Sequence, residues 1–409
     1  MTPDREFDLI LWGATGFTGQ LVAEYLVETY GVDGPLRWAI AGRSQSKLEN
    51  LQRQLLVDSQ AGDLPILVAD STDRDSVDAL ALRARVICST VGPYARYGTE
   101  LVAACAEAGT SYCDLTGEVP WMARVIPAFE QAAKNSGARI VHCCGFDSIP
   151  SDMGTWFLQQ AMQRRHGTGA QRVKSRVGRT RGTASGGTVA SMLDMLEQAG
   201  RDPAVRRALA DPYSLCPAGT IGPDGPDQVG ARFDPDFEQW TSPFVMSAIN
   251  SRVVRRSHWL LGQPWGERFT YDESQLCRSR LQAYSSTAGM GAAMGILALG
   301  PTRRLAQHWL PKPGDGPDRE AREAGHYELF FHGTHPDLPG QPMRARVSHT
   351  LDPGYGSTAR MLAEAAVCLA QDEAIVEGGF WTPASGLGDA LLHRLQSPAG
   401  LTFELLDNY

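Results

Sequence analysis

The stretch from Phe7 to Gly19, FDLILWGATGFTG, limits the architecture of this chain more than any other. Its first half, as far as Trp12, is a nearly continuous apolar run, as expected for a strand buried on both faces of a parallel sheet. From Gln20 to Thr29, apolar residues recur at helical intervals. The chain is therefore predicted to begin its fold with a strand, a glycine turn and a helix.

The turn between this strand and this helix has the glycine spacing G-x-x-G-x-x-G. A residue without Cβ permits a positive φ and lets a diphosphate approach the backbone, while the helix N-terminus offers free N–H groups. The pattern predicts a dinucleotide cradle; a tight turn without a ligand is the alternative, and the strand–turn–helix context favours the cradle. The residues predicted to form it are Gly13, Thr15, Gly16, Phe17, Thr18 and Gly19.

The second predicted strand, Leu36 to Ser44, indicates which dinucleotide is bound. An acidic residue at the end of this strand commonly binds the ribose 2′-hydroxyl of NAD, whereas an arginine accommodates the 2′-phosphate of NADP. This strand ends in Arg43 and Ser44, with Lys47 one turn further on. A guanidinium group matches phosphate geometry, so we predict NADP(H) as the cofactor.

Two later strand ends supply further cofactor-binding candidates. Asp70 follows the short predicted strand Ile66 to Val68, where its carboxylate either accepts a bond from the adenine amino group or caps the next helix. The fourth predicted strand, Arg85 to Thr90, ends beside the expected nicotinamide position. The residues that we predict to line the cofactor there are Ser89, Thr90, Val91, Gly92 and Pro93, with Tyr94 immediately after them.

Taken together, motifs along nearly the whole chain resemble the saccharopine dehydrogenase-like oxidoreductases, particularly the subgroup of trans-acting enoyl reductases. The motifs are GATGFTG, AGRS, STVGPY, CDLTGE (Cys113 to Glu118), CGFDSIPSD (Cys144 to Asp152), SGGT (Ser185 to Thr188), LPKPGDGP (Leu310 to Pro317) and GYGSTARM (Gly354 to Met361). The resemblance implies an NADP-binding Rossmann domain, a second α/β domain, and reduction of a lipid-like enoyl intermediate.

Length and element order define the expected fold. At 409 residues the chain exceeds the size at which a single hydrophobic core keeps growing. Alternating strands and helices as far as Cys143 predict an α/β protein with a doubly wound parallel sheet. We predict an NADP-binding Rossmann domain at 1–150, a second α/β (α+β) domain for substrate or dimerisation at 151–346, and a C-terminal segment at 347–409. The resemblance implies that its helix, Ser357 to Asp372, packs back on the Rossmann domain.

Composition excludes several classes of protein. A net charge of −8 provides no general attraction to nucleic acid, and 43% hydrophobic residues are ordinary for a globular protein. Eight cysteines without a CxxC pair indicate reduced thiols, and the start MTPDREFD lacks the pattern of a secretory signal, so we expect a cytoplasmic protein. The charge-free run from Ala288 to Gly300 is short for a membrane span; it fits a buried helix or a peripheral membrane contact.

The second domain has two unusual segments. Arg172, Lys174 and Arg176 alternate along a predicted strand, as a solvated face or as a docking surface for an acidic carrier or phosphopantetheine. The segment from Asp211 to Pro243 is rich in Gly, Pro and Asp, which predicts a long loop or lid over a site. Three histidines at 326, 332 and 335 lack supporting carboxylates, so we assign no metal site.

Catalysis is less well defined by the sequence than cofactor binding. Reduction of a conjugated C=C bond needs a hydride, a proton donor, and a group that stabilises the developing enolate. Tyr94 is a candidate acid because of its position, although a turn tyrosine is commonly a packing residue. Glu118, His142 and Asp147 are weaker alternatives, and Asp147 is better explained as a residue that hydrogen-bonds backbone amides in its turn.

We therefore predict an NADPH-dependent oxidoreductase, an enoyl reductase acting on a hydrophobic, lipid-like or carrier-bound substrate. The enzyme alternative is a saccharopine dehydrogenase-like oxidoreductase acting on a C–N bond. The third hypothesis is a non-catalytic NADP-binding, lipid-associated protein. No nucleic-acid partner is expected; a homodimer and a peripheral membrane contact are further hypotheses.

Overall fold

The first of two seven-stranded sheets is entirely parallel and contains the glycine turn. The structure is a computed structural model that describes residues 5–57, 62–182, 186–298, 301–303 and 316–406. The strands of this sheet are β1 (Phe7–Trp12), β2 (Trp38–Gly42), β3 (Ile66–Val68), β4 (Ala84–Ser89), β5 (Ser111–Asp114), β6 (Arg139–Val141) and β13 (Gly379–Trp381). Their spatial order is β13-β6-β5-β4-β1-β2-β3. The predicted doubly wound parallel sheet is confirmed.

Helices connect these strands in the right order for a Rossmann fold. They are α1 (Phe17–Tyr30), α2 (Gln45–Leu55), α3 (Arg74–Ala81), α4 (Tyr94–Tyr97), α5 (Thr99–Ala108), α6 (Val119–Ser136) and α7 (Ile149–His166). Strands β1 and β4 are buried along almost their whole length, as the continuous apolar runs predict for strands covered on both faces. Because all strands are parallel, their carboxyl ends meet at one edge of the sheet, where a ligand is expected.

The second sheet is mixed and follows in the chain. Its strands are β7 (Arg172–Arg181), β8 (Arg232–Asp234), β9 (Gln239–Ser242), β10 (Thr270–Cys277), β11 (His326–Thr334), β12 (Met343–His349) and β14 (Thr402–Leu406). The spatial order is β14-β12-β11-β7-β10-β9-β8, and only the pairing of β7 with β10 is parallel among these. The helices of this part are α8 (Gly186–Arg201), α9 (Pro203–Ala210), α10 (Ser247–Leu260), α11 (Arg280–Ala298) and α12 (Arg319–Glu323).

The C-terminal part of the chain contributes to both sheets. A π-helical turn (Pro353–Ser357) leads into α13 (Thr358–Gln371), and α14 (Pro383–Gln396) follows β13. Helix α13 returns to the first sheet, and the buried Glu364 accepts hydrogen bonds of 2.7 Å from the hydroxyl groups of Tyr25 and Tyr30 on α1. The predicted return of this helix to the Rossmann domain is confirmed.

The basic stripe on β7 is neutralised inside the second sheet. Arg176 is 3% exposed and its guanidinium group lies 2.7 Å from a carboxylate oxygen of Asp234 on β8. The Lys174 ammonium group lies 2.8 Å from Asp234 and 2.7 Å from Asp236. Buried, paired cations are neither a solvated face nor a free docking surface, so neither interpretation from the alternating pattern holds for these two residues.

The segment from Asp211 to Pro243, predicted as a long loop, contains strands β8 and β9, so the prediction is wrong for its second half. Buried arginines of α10 tie the segment to the body of the protein. The Arg255 Nε atom lies 3.0 Å from the carboxylate of Asp224, and Arg252 binds Asp227. Arg256 donates hydrogen bonds to the carbonyl groups of Leu215 and Phe380. Cations that bind backbone carbonyl groups of a remote segment order that segment, so this loop is anchored at three points along its length.

Helix α11 carries the charge-free run and is unusually exposed. Its residues from 281 to 298 include no charged side chain, and Leu281, Tyr284 and Ile296 are 80%, 50% and 49% exposed. Within the described part of the chain, no helix combines the length and apolar character needed to cross a bilayer. The LPKPGDGP motif (Leu310 to Pro317) lies outside the described residues up to position 315.

Candidate functional site

A cavity of about 1150 Å³ lies at the carboxyl ends of the first sheet's strands. It extends from the glycine turn after β1 to the segments that follow β4, β5 and β6, and it is larger than the space that a single small ligand usually occupies. The predicted cofactor residues that line it are Gly13, Thr15, Gly16, Phe17, Thr18, Arg43, Thr90, Val91, Gly92 and Pro93. The structure therefore brings most of them together around one space.

The geometry of the glycine turn leaves room for a diphosphate. Gly13 has a φ of +85°, and Gly16 is the N-cap of α1 without a side-chain hydrogen bond. The first-turn N–H groups of α1 therefore have no capping side chain as acceptor and are available to an anion. A Cβ on Gly16 would stand 3.3 Å from the carbonyl oxygen of Gly13, at the surface of the cavity.

Gly19 has a different function within the same motif. It is buried and does not line the cavity, and a Cβ there would stand 2.3 Å from the Gly13 carbonyl oxygen. A distance this short excludes any side chain, so Gly19 allows α1 to pack closely against the turn. The third glycine of dinucleotide-binding turns commonly serves this packing.

Two cations stand at the far end of the cavity, after β2. Arg43 and Lys47 are exposed and line the cavity, and neither forms a hydrogen bond or salt bridge with any described residue. Exposed guanidinium and ammonium groups without such partners suit a phosphate ester. The residues present thus fit the 2′-phosphate of NADP, and Lys47, which the sequence pattern placed one turn from Arg43, joins the site.

Ser44 and Asp70 lie beside this end but do not line the cavity. The Ser44 hydroxyl is 3.3 Å from that of Ser46 at the start of α2. Asp70 accepts hydrogen bonds from the backbone nitrogen and hydroxyl group of Thr72, and these bonds, aided by the charge of Arg43, lower the pKa of Asp70. Asp73, not Asp70, caps the following helix.

The turn after β4 is held against the glycine turn. The Thr90 hydroxyl donates to the carbonyl oxygens of Trp12 and Gly13, each at 3.1 Å. Ser89 is buried behind it, and its hydroxyl accepts a bond of 3.4 Å from the backbone nitrogen of Val91. Ser89 thus orders the turn, while the next residues form the cavity surface.

Tyr94 is fixed by its surroundings. Its hydroxyl donates to the carbonyl oxygen of Ser89 at 3.0 Å, its side chain is 4% exposed, and its ring stacks on Trp121 at 5.6 Å. Burial raises the pKa of Tyr94 well above its ordinary value, and the neighbouring Asp114 carboxylate adds to the effect. A phenol whose proton is already donated within the protein is better explained as a packing residue than as an acid.

Glu118 joins three parts of the cavity wall. Its carboxylate accepts hydrogen bonds of 2.8 Å from the backbone nitrogens of Tyr94 and Ala95, and one of 2.7 Å from the hydroxyl of Ser191 on α8. Burial raises its pKa and these donors oppose the rise. His142 is likewise buried away from the cavity, with Nδ1 2.8 Å from the carboxylate of Asp114. The contacts of Glu118 and His142 thus join neighbouring segments of the fold, which is a structural role.

Asp147 has a different environment from these three candidates. It follows β6, lines the cavity, and is partly exposed toward it. Its carboxyl group has no hydrogen-bond or salt-bridge partner among the described residues, and burial alone raises its pKa to about 7. The interpretation of Asp147 as a residue that binds turn amides is therefore wrong.

The side of the cavity opposite the glycine turn is apolar. Helix α8 and the segment before and within α10 form most of this wall. The apolar side chains are Leu115, Val119, Val189, Ala190, Met192, Leu193, Met195, Leu196, Leu209, Val245, Met246, Ala248, Ile249 and Met294. Arg96 lies among them but is paired with Asp194, with 2.9 Å between its Nε and a carboxylate oxygen. Of the SGGT motif, Ser185 lies outside the described residues and Gly187 lines the cavity.

Sequence patterns missed this wall because its residues come from separate parts of the chain. The helical period from Val189 to Gln198 identifies α8 as a helix, but that period alone does not show that the helix faces the β4 turn.

Among the described residues, no cluster of three His, Cys, Asp or Glu side chains has a geometry that would hold a metal ion.

Comparisons with known proteins agree with this geometry. Residues 9–141 match the family model described as the saccharopine dehydrogenase NADP binding domain. A Mycobacterium tuberculosis protein provisionally named as a trans-acting enoyl reductase is 42% identical over 417 residues, which cover 98% of this chain and 97% of that protein. The trans-acting enoyl reductase of Mycobacterium bovis BCG is 39% identical over 420 residues, 97% of each chain.

Among solved structures, the apo saccharopine dehydrogenase (L-Glu forming) of Saccharomyces cerevisiae has a TM-score of 0.53 and 13% identity, and the match covers 98% of this chain and 99% of that one. At this identity the likeness shows a shared fold alone.

Proposed function

Because the chain belongs to the saccharopine dehydrogenase-like oxidoreductases, in the group of the trans-acting enoyl reductases, we propose that it reduces the C=C bond of a lipid-like or carrier-bound enoyl substrate with NADPH. The observation that carries the proposal is one continuous cavity, with a glycine turn and two cations, Arg43 and Lys47, at one end and an apolar wall at the other. It has space for a dinucleotide beside an acyl chain.

Three groups of residues are proposed to hold the cofactor. The turn at Gly13 and Gly16 and the N-terminus of α1 bind the diphosphate, Arg43 and Lys47 bind the 2′-phosphate, and the β4 turn lies beside the nicotinamide. NADPH, when bound, supplies a hydride to the substrate. Ser44, Asp70 and Ser89 are proposed as supporting residues, since they order the turns that carry these contacts and do not themselves line the cavity.

The apolar wall supports an acyl substrate over an amino-acid substrate. A substrate with several carboxylates calls for several unpaired cations in its pocket. Among the described lining residues, the cations are Arg43 and Lys47 at the end beside β2, and Arg96, which Asp194 already neutralises. The wall built from α8 and residues 245–249 instead offers a hydrophobic surface for an aliphatic chain.

The test is turnover with two substrate panels. The protein is incubated with NADPH and enoyl thioesters of increasing chain length, on coenzyme A and on an acyl carrier protein, or with saccharopine and imino acids. Loss of NADPH and product mass are followed, and a Gly16→Val variant serves as the cofactor-site control. Each CH₂ group buried adds about 0.8 kcal/mol, so kcat/KM is expected to rise about fourfold per carbon until the cavity is full.

The outcomes separate the three functional hypotheses. Reduction of enoyl thioesters with a rising chain-length profile supports the proposed function. Turnover of saccharopine or imino acids without turnover of any enoyl chain overturns it in favour of C–N chemistry. NADPH binding without turnover of either panel overturns it in favour of a non-catalytic, lipid-associated protein.

We also propose that α11 is a peripheral membrane contact of a cytoplasmic enzyme. Its charge-free face is exposed, Met294 connects it to the cavity, and Arg280 packs over the rings of Trp240 and Tyr284 at 5.4 and 5.6 Å. Apolar side chains flanked by aromatic rings and arginines suit the interface of an anionic bilayer. An acyl substrate could then pass from the lipid surface to the cavity.

Vesicle sedimentation tests this contact. Vesicles with phosphatidylglycerol are expected to bind the protein better than neutral vesicles, and Leu281→Glu with Ile296→Glu should abolish the binding. Val57→Glu is the control, because Val57 is 75% exposed on the other part of the molecule. The alternative is that α11 mediates a homodimer. In that case light scattering will show a dimer that dissociates when both glutamate substitutions are present, and the protein will not bind vesicles.

A further inference from the structure

We propose that Asp147 is the proton donor of the reaction, delivering its proton to the carbon next to the one that receives the hydride. The proposal rests on the proposed function, because it assigns the second half of the C=C reduction. It follows from the position of Asp147 in the cavity, the lack of a partner for its carboxyl group among the described residues, and the contacts that engage the other candidate acids.

The position of Asp147 places it on the nicotinamide side of the sheet. In a doubly wound sheet the adenosine half lies over β2 and the nicotinamide half over the strands beyond β1 on the other side. Asp147 lies in the turn after β6, next to the turn after β5. A Cβ atom added to Gly117 in the β5 turn would be 3.4 Å from Oδ2 of Asp147 and 2.9 Å from Cδ1 of Ile249. The carboxyl group therefore borders both the cofactor end and the apolar wall.

The carboxyl group is also free to act. Two other carboxylates at the cavity accept hydrogen bonds: Glu118 from two backbone nitrogens and Asp194 from Arg96. Asp147 accepts none from the described residues, although it faces the same space. Burial raises the pKa of Asp147 to about 7, and no described residue donates a hydrogen bond that would lower it, so the protonated form that a general acid needs is present near neutral pH.

The remaining candidates are engaged elsewhere. The Tyr94 hydroxyl donates its proton to the Ser89 carbonyl, and the His142 ring is enclosed by Tyr112, Trp121 and Phe380 outside the cavity lining. Of the four candidate acids, Asp147 alone lines the cavity with an ionisable group that no described residue hydrogen-bonds.

The proton transfer balances without a further reactant. When hydride adds to the β-carbon of the enoyl thioester, the C=C π electrons move to the α-carbon and thioester oxygen as an enolate. The O–H bond of Asp147 then breaks, the enolate electron pair forms a C–H bond at the α-carbon, and Asp147 becomes a carboxylate. Water at the open side of the cavity returns a proton to it before the next turnover.

The experiment compares four proteins on an enoyl thioester that the wild type reduces. Asp147→Asn is expected to lose about 10²- to 10⁴-fold in kcat, with unchanged NADPH affinity and thermal midpoint. Asp147→Glu should retain part of the rate, and added formic acid should partly restore Asp147→Asn. The matched control is Asp152→Asn, because burial also raises the pKa of Asp152 to about 7 but its oxygens bind Ser257 and the backbone nitrogen of Ala384. It should lower stability and leave the proton transfer intact.

A second readout does not depend on turnover. An infrared difference spectrum between the wild type and Asp147→Asn, both with NADP⁺ bound, is recorded over a range of pH. The band of the protonated Asp147 carboxyl is expected at pH values below the pKa of Asp147, about 7, and should vanish above it. An Asp147→Asn variant that keeps its rate within about threefold, well below the general-acid range, overturns the proposal. So does a carboxyl that is ionised throughout this titration. A wild type inert toward every enoyl chain overturns the proposed function instead, and the infrared titration still decides the state of Asp147.

Discussion

Glu118 accepts a hydrogen bond of 2.8 Å from the backbone nitrogen of Tyr94, so the turn after β5 holds the turn after β4 in place. The same carboxylate binds Ser191 of α8, which carries much of the apolar wall. One side chain thus sets the distance between the cofactor end of the cavity and the proposed substrate end.

Replacing this carboxylate should loosen the cavity. In Glu118→Gln, an NH₂ group replaces one of the two carboxylate oxygens and cannot accept the hydrogen bond that this oxygen accepts. At least one buried donor is then left unpaired, at a cost of about 1 to 3 kcal/mol. We expect a lower free energy of unfolding in urea and weaker NADPH binding by calorimetry. Glu107→Gln is the control, since Glu107 forms only an exposed ion pair with Arg74. Equal effects of the two changes would contradict the clamp.

Cofactor choice should depend on Arg43. Arg43→Ala removes the proposed charge-assisted contact to the 2′-phosphate, and such a contact is worth about 1.5 to 3 kcal/mol, or roughly ten- to a hundredfold in affinity. Titration with both nucleotides should show weaker NADPH binding and unchanged NADH binding. Arg53→Ala, on the following helix α2 and outside the cavity lining, should change neither. Equal weakening of both nucleotides would remove Arg43 from the phosphate site.

Gly16 and Gly19 should respond differently to added side chains. Gly16 has a φ of −75°, which any residue adopts, so Gly16→Val should fold and fail to bind NADPH because its methyl groups occupy the diphosphate space. Gly19→Ala should lower the unfolding temperature, since its Cβ meets the Gly13 carbonyl oxygen at 2.3 Å. Gly200→Val, at a position with open space around its Cβ, is the control for both. Normal NADPH affinity in folded Gly16→Val would favour a turn without a ligand.

Stability should fall as pH rises from about 4.5 to 7, in part through Glu273. Burial raises the pKa of this carboxyl from 4.5 to about 7, so the folded protein keeps a proton that the unfolded chain releases in this range. The protonated carboxyl stabilises the folded protein fully at pH values below the pKa of Glu273 in the unfolded chain. This stabilisation is lost as the pH rises through the pKa of Glu273 in the folded protein. Each such group contributes a slope of at most about 1.4 kcal/mol per pH unit. Glu273→Gln should flatten the pH dependence of urea unfolding; an unchanged slope would show that Glu273 is ionised when folded.

The first sheet and the cofactor end of the cavity were predictable because their signals are local. A buried strand, a glycine turn and a helix occupy 24 consecutive residues from Phe7 to Tyr30, and sterics at Gly13 act on the backbone itself. The strand-end position of Arg43 follows from the same unit. The roles of the individual cofactor residues and the exact domain boundaries stay predictions.

The apolar wall and the choice of Asp147 as the proposed proton donor were not predictable, because they depend on contacts between distant residues. No periodicity shows that Ser191 meets Glu118, or that Asp224 neutralises Arg255 on α10. The basic residues of β7 show the same effect: alternation predicts the strand, but only the fold brings Asp234 to Arg176. For Asp147, the decisive property is that no described residue binds its carboxyl group, which a sequence does not display.

Strand β13 has a consequence for how the protein is made. The residues from Gly379 to Trp381 pair with β6, so the outer edge of the nucleotide-binding sheet stays open until the ribosome has moved far beyond the rest of that sheet. At about 5 to 20 residues per second, the delay is on the order of 10 to 50 s. During that time β6 presents unpaired backbone groups to any strand that it meets. A fragment ending at residue 150 lacks β13, so we expect this edge of its sheet to stay unpaired and open to association with another strand.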